Sequence, residues 1–160
     1  MKKPPKQPRD MFIVTLEYIL SMPRTKRQVE QYLRRKMVER DEAETIMARL
    51  EELGYLNDAI YTEMFVESKS KKMGKNAIKN KLFMRGVNSE LVEQGIAEVG
   101  DQTELARYTA EKYMRSKVRD IKNFQKLYNH LVTKGFEYDT VRDIVTQMKH
   151  GGEHDPQDWD

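Results

Sequence analysis

Apolar residues recur three and four positions apart along almost the whole chain, and no run alternates strictly between apolar and polar. Val29, Tyr32, Leu33 and Met37 make one helical face; Ile46, Met47, Leu50 and Leu53 make another, and Ile144, Val145 and Met148 a third. Breakers punctuate this pattern at Pro23, Gly54, Gly74, Gly86, Gly100, Gly135 and the pair Gly151 and Gly152. The pattern predicts an all-α protein of roughly nine helices, each of about 10 to 17 residues.

Set against itself, the sequence repeats with a period of 49 residues. Val29 falls on Ile78 and Leu127, Leu33 on Leu82 and Leu131, and Val38 on Val87 and Phe136. Ala43 meets Val92 and Val141, Met47 meets Ile96 and Val145, and Leu50 meets Val99 and Met148. Upstream, Leu16 meets Phe65 and Met114, while Phe12 meets Tyr61 and Ala110. These eight columns are apolar in all three copies, where chance at this apolar fraction gives only about three. Each copy then holds three helices, the second opening near Thr25, Gly74 or Asn123. Thr25 and Asn123 suit an N-cap, since their side chains bond a free backbone N–H, and Asn88 or Ser89 suits the same role at the sixth helix. A unit this small buries little by itself, so neighbours stack. The expected architecture is three tandem three-helix repeats, 11–56, 57–100 and 101–150, in an elongated, curved array. A disordered basic tail over 1–10 and a disordered acidic tail over 151–160, with Trp159, flank it.

Composition narrows the function. Charged residues make up 34% and hydrophobic residues 38%, a balance that suits thin helical modules better than one large globule. Cysteine is absent, which excludes a disulfide framework and a thiolate metal site and fits a reducing compartment. No stretch approaches the roughly 18 apolar residues that span a bilayer. The apolar run Met11 to Leu20 is broken by Thr15, Glu17 and Tyr18 and lacks a small-residue cleavage site, so a signal peptide is not expected and a cytoplasmic location is. His130, His150 and His154 are too scattered for a three-ligand zinc site. There is no glycine-rich phosphate loop, nucleophile elbow or two-histidine helix motif, so neither enzyme activity nor a cofactor is expected.

The net charge of +3 is modest, but its distribution is uneven. Arg24, Lys26, Arg27, Arg34, Arg35, Lys36 and Arg40 crowd on or beside the second helix. Lys69, Lys71, Lys72, Lys75, Lys79, Lys81 and Arg85 run from the fourth helix through the fifth, and Lys112, Arg115, Lys117, Arg119, Lys122 and Lys126 follow in the third repeat. Because the units repeat, a basic stripe is expected that attracts phosphate or an acidic protein groove. Its candidate binding residues are Arg24, Arg27, Arg34, Arg35, Lys69, Lys71, Lys72, Lys75, Lys79, Arg85, Arg115 and Lys122. The plainer alternative is a solvated face with i, i+4 pairs to acids such as Glu30 and Glu39. In the block from Lys69 to Arg85, Glu67 is the one acid nearby in sequence, and there binding is the favoured reading.

The third helix runs through Arg49-Leu50-Glu51-Glu52-Leu53 into Gly54-Tyr55-Leu56-Asn57-Asp58. Gly54 suits a left-handed helix terminus, Tyr55 and Leu56 the packing of a junction, and Asn57 or Asp58 the cap of the fourth helix. Tyr61, Phe65, Val66, Ser68 and Lys69 follow, then a basic turn Lys71-Lys72-Met73-Gly74. This succession resembles the signature of the RecX family of regulatory proteins: leucine, three residues, glycine–tyrosine–leucine–aspartate–aspartate, an aromatic helix and a basic glycine-containing turn. Lys81-Leu82-Phe83-Met84-Arg85-Gly86-Val87 is similar to that family's leucine–x–x–lysine–glycine–isoleucine. Lys126 to Leu131 with Lys134-Gly135-Phe136 resembles its closing module. The likeness extends over residues 12 to about 149 and assigns structural motif roles to Gly54, Tyr55, Leu56, Asn57, Asp58, Phe65, Gly74, Gly86 and Gly135. Asn57 stands where the family has its first aspartate, and Lys75 follows Gly74 where the family often has proline.

The resemblance implies a non-enzymatic, three-module regulator, expected as a monomer, that binds the RecA recombinase filament on DNA. Such a protein limits filament growth, strand exchange and co-protease activity, and binds single- or double-stranded DNA without sequence preference and with salt sensitivity. From the residues alone, two other readings stay open: a helix–turn–helix-like DNA-binding regulator independent of RecA, and a helical scaffold for other proteins.

Overall fold

A computed structural model describes residues 10–151, and the described chain folds into helices alone. In order these are α1 (Met11–Ser21), α2 (Lys26–Arg35), α3 (Arg40–Glu52), α4 (Asp58–Ser70), α5 (Lys75–Met84), α6 (Ser89–Ala97), α7 (Thr103–Met114), α8 (Ile121–Thr133) and α9 (Tyr138–His150). The tails expected over 1–10 and 151–160 lie outside the described residues, except for Asp10 and Gly151.

Short polar side chains open most of these helices, because the first-turn N–H groups have no partner within the helix. The Asp10 carboxylate accepts the Phe12 N–H at 2.8 Å. Thr25 and Gln28 form a reciprocal capping box at α2. Asn57, rather than Asp58, caps α4, accepting the N–H groups of Ala59 and Ile60. Asn88 accepts the Leu91 N–H at α6. At α8 the expectation of an Asn123 cap fails. The helix starts at Ile121, and the carboxylate of Asp120 accepts the Asn123 N–H at 2.7 Å, while the Asn123 amide donates to the Val118 carbonyl. An acidic cap one turn earlier accepts more strongly and extends the helix.

Four helices end in the same way, with a left-handed residue and a hydrogen bond reaching back five residues. Gly54 closes α3, with the Tyr55 N–H donating to the Leu50 carbonyl. Met37, Gly86 and Gly135 close α2, α5 and α8, where Val38, Val87 and Phe136 donate to Leu33, Leu82 and Leu131. After Gly54 the expected packing of two side chains is half right. Leu56 is buried, whereas Tyr55 is 44% exposed because the turn points its ring outward.

The described chain divides into two compact units. One takes the chain up to Met64 together with Leu82–Val92; the other takes Phe65–Lys81 and the chain from Glu93 onward. In the first, α1, α2 and α3 pack mutually around Ile19, Val29, Leu33, Ile46, Leu50 and Leu56. In the second, α7, α8 and α9 do so around Ala106, Ala110, Phe124, Leu127, Leu131, Phe136, Val141 and Ile144. The two strongest columns of the repeat, Val29, Ile78, Leu127 and Leu33, Leu82, Leu131, are wholly shut off from solvent. Each such side chain contributes about 1.5–3 kcal/mol by leaving water. The periodic positions are therefore the ones that hold the helices together.

Candidate nucleic-acid and partner interface

One joint is built twice, and it positions the basic residues. Each time, the start of a second helix lands on the turn between the second and third helices of the following repeat. In the first unit the Thr25 hydroxyl donates to the Arg85 carbonyl at 2.6 Å, and the Lys26 N–H donates to the Asp58 carboxylate at 2.8 Å. In the second unit the Gly74 N–H donates to the Lys134 carbonyl and the Asn76 N–H to the Gly135 carbonyl, each at 2.9 Å. The Lys75 N–H donates to the Gln102 side-chain carbonyl, also at 2.9 Å. Thr25 and Gly74, Lys26 and Lys75, and Arg85 and Lys134 are each 49 positions apart, so the repeat is one of contacts as well as of core positions.

Gln102 does more than accept. Its amide donates to the Ser70 carbonyl at 2.9 Å and to the Met73 carbonyl at 3.0 Å, so one side chain holds both ends of the turn that carries Lys71 and Lys72. The approach is close. A β-carbon on Gly74 would sit 2.1 Å from the backbone of Gly135, and one on Gly135 would sit 2.3 Å from the Ala77 nitrogen. Neither neighbour is the flexible end of a side chain, so these two positions need glycine for room.

The predicted binding residues fall into two groups. Some are engaged within the fold. Arg24 lies over the Tyr18 ring, 4.4 Å from its centroid, and Lys69 lies over Phe65 at 5.8 Å. Arg34 pairs with Glu30, as the plainer reading expected; Lys79 pairs with Glu93, and Arg85 bonds the Tyr61 hydroxyl. Glu67 is thus not the only acid within reach of the central block, because α6 brings Glu93 in from outside the sequence window. The Lys75 backbone belongs to the joint, and its side chain is half-buried. Arg27 is exposed overall, though its methylenes line Gly86. Arg35, Lys71, Lys72, Arg115 and Lys122 are exposed and make no ion pair among the described residues.

Sequence reasoning missed several participants. The joint sets Lys134 against the Lys71–Lys75 segment, and the 49-residue offset that carries Arg85 onto Lys134 is the signal that identifies it. Nothing in the sequence marks Gln102, because its three partners are backbone groups. Tyr18 and Tyr32 stack with centroids 4.0 Å apart and planes 5° from parallel. Tyr113 and His130 stack at 4.4 Å, with Lys117 3.8 Å from the Tyr113 centroid. Partial burial, aided by the charges of Lys134 and Lys117, holds the His130 imidazole below its usual pKa. Among the described residues no cluster of three metal-ligating side chains occurs, and no helix is long and apolar enough to cross a membrane.

Comparison with known proteins places this architecture. The RecX family model for its second three-helix domain matches residues 57–96, and that for its third three-helix domain matches residues 100–145. The regulatory protein RecX of Clostridium botulinum (strain Eklund 17B / Type B) is 31% identical over 145 residues, which cover 87% of this chain and 67% of that protein. The regulatory protein RecX of Clostridioides difficile (strain 630) is 31% identical over 118 residues, or 70% of this chain. The chain spans only 56% of the length of that second relative. The crystal structure of RecX from Lactobacillus salivarius superposes with a TM-score of 0.75 at 27% identity, covering 86% of this chain and 93% of that one. With its tandem three-helix repeats and the signature around Gly54 to Asp58, this chain belongs to the RecX family of regulatory proteins.

Proposed function

We propose that this protein is a negative regulator of RecA: it binds the RecA–DNA filament in its groove and limits filament growth, recombinase activity and co-protease activity. Family membership supports the reading, since the relatives it matches are named regulatory protein RecX. The repeats 11–56, 57–100 and 101–150 serve as its modules. The protein acts as a cytoplasmic monomer within recombination, DNA repair and the SOS response. The turn bearing Lys71 and Lys72 supports a contact surface, because Gln102 holds it in place before any partner arrives, and a pre-ordered loop loses less entropy on binding. Exposed, unpaired cations also support non-specific, salt-sensitive binding to single- or double-stranded DNA.

The test is RecA-catalysed ATP hydrolysis on single-stranded DNA, titrated with this protein. Inhibition is expected well below one molecule per RecA. The combined Lys71→Glu, Lys72→Glu and Lys75→Glu protein is expected to require about tenfold more for the same effect, a loss near 1.4 kcal/mol. No inhibition at excess, with DNA binding intact, replaces this reading with that of a helix–turn–helix-like DNA-binding regulator independent of RecA.

A further inference from the structure

Four side chains in the first unit form a continuous stack: Arg24, Tyr18, Tyr32 and Lys36. The tyrosine rings are parallel within 5° at 4.0 Å, the Arg24 guanidinium covers the outer face of one at 4.4 Å, and Lys36 Nζ lies 5.5 Å from the centroid of the other. The stack lies outside the core of these helices, which is formed by Ile19, Val29, Leu33, Ile46, Leu50 and Leu56. Arg24 also carries a defect. Its Nε–H is buried and has no hydrogen-bond partner. A buried donor left unsatisfied is destabilising by as much as a partly exposed cation–π contact stabilises, so the guanidinium is held on Tyr18 with little net gain.

We propose that this stack is a nucleotide site for single-stranded nucleic acid, in which a base takes the place of the Arg24 guanidinium on Tyr18 and the guanidinium turns to the adjoining phosphate. The exchange satisfies both partners. Stacking of a base on an aromatic ring is of the same order as the cation–π contact it replaces, and a phosphate oxygen adds the acceptor that Nε–H lacks, so the exchange gains a charge-assisted hydrogen bond. Duplex DNA fits less well, because its bases are already stacked on one another. A strand fits better than a free nucleotide, because Arg27 and Arg35 on α2, the helix that carries Tyr32, are exposed without ion pairs among the described residues and offer further phosphate contacts. The site rests on the nucleic-acid part of the function proposed above and on no contact with RecA.

The experiment is fluorescence anisotropy of a labelled oligothymidylate of about 15 nucleotides with the full chain and no RecA present. A duplex of equal length is measured in parallel, and thymidine monophosphate serves as competitor. Arg24→Lys keeps the charge and loses the planar face, and is expected to weaken single-strand binding about five- to tenfold while changing duplex binding less than twofold. Tyr18→Phe keeps the ring and should bind as the parent does; Tyr18→Leu, checked for an unchanged circular dichroism melt, should not. Equal losses on strand and duplex, or no loss with Arg24→Lys, overturn the site. Displacement by micromolar thymidine monophosphate overturns the assignment to a strand. Failure to inhibit RecA, with the Arg24 effect intact, sinks the regulatory reading and leaves this one standing.

Discussion

Position 37 and its counterparts 86 and 135 share one backbone conformation, with φ of 58°, 81° and 88°, yet only the last two are glycine. The difference is what comes against them. Gly86 receives the side chain of Arg27 and Gly135 the backbone of Ala77, whereas Met37 belongs to the first repeat and is 85% exposed. A left-handed residue other than glycine costs roughly 1–2 kcal/mol, so Met37→Gly is expected to stabilise the protein by up to about 1 kcal/mol. Gly135→Ala adds overlap with a backbone nitrogen to the same strain and should destabilise by about 3 kcal/mol or more. Urea denaturation of the two proteins checks the contrast; equal effects would mean that the joint is looser than its distances imply.

His130 gives a residue-scale prediction in pH. Its folded-state pKa lies below the unfolded value because burial, then Lys134 and Lys117, disfavour the imidazolium. The unfolded chain therefore binds the proton more readily, and the stability linked to this group is present above about pH 6.5 and lost as pH falls through the folded pKa. Melting temperatures between pH 7.5 and pH 5 should fall less in a His130→Phe protein, which keeps an aromatic ring on Tyr113 without the titrating group. An unchanged slope would assign the acid sensitivity elsewhere.

At the scale of the elements, helix positions were legible because periodicity of three and four needs only local sequence. Their starts were less so. Thr25, Asn57 and Asn88 cap as their chemistry suggests, but Asn123 loses to Asp120 three residues earlier, since two good caps stood within one turn of each other. The decisive element-scale residue is Gln102, which satisfies one N–H and two carbonyls around the turn before α5. Gln102→Ala leaves these three groups without their partner and is expected to cost roughly 2–3 kcal/mol. Gln102→Glu should not restore stability, because a carboxylate cannot donate to the carbonyls of Ser70 and Met73. Hydrogen exchange at the Lys75 amide should quicken in Gln102→Ala, which removes its acceptor, and less in Gln102→Glu, which keeps an oxygen there. Protection equal to the parent's would show that the amide is not the clasp.

At the scale of the molecule, three helical repeats carry one joint used twice, and charge is arranged around it. The RecA titration belongs to this scale, because the proposed binding residues lie on more than one helix. The basic blocks were visible as composition along the chain, but a block is not a surface. Lys79 and Arg85, adjacent in the sequence pattern to Lys71 and Lys72, are engaged with Glu93 and Tyr61, partners supplied by other helices. Conversely, Lys134 joins the central block only through a backbone contact 60 residues away from Gly74.

The sequence by itself determined the helical class, the 49-residue repeat, the core columns and the family signature. Each of these follows from local periodicity or from residues fixed to one another by short spacing. Only the tertiary structure decided which cations stay exposed, that Gly74 and Gly135 are glycine for room, that Gln102 clasps the basic turn, and that Arg24 rests on a tyrosine pair with an unsatisfied N–H. Those features depend on distances of two to five ångströms between groups far apart in the chain, and long-range contacts of that kind leave no periodic trace in the sequence.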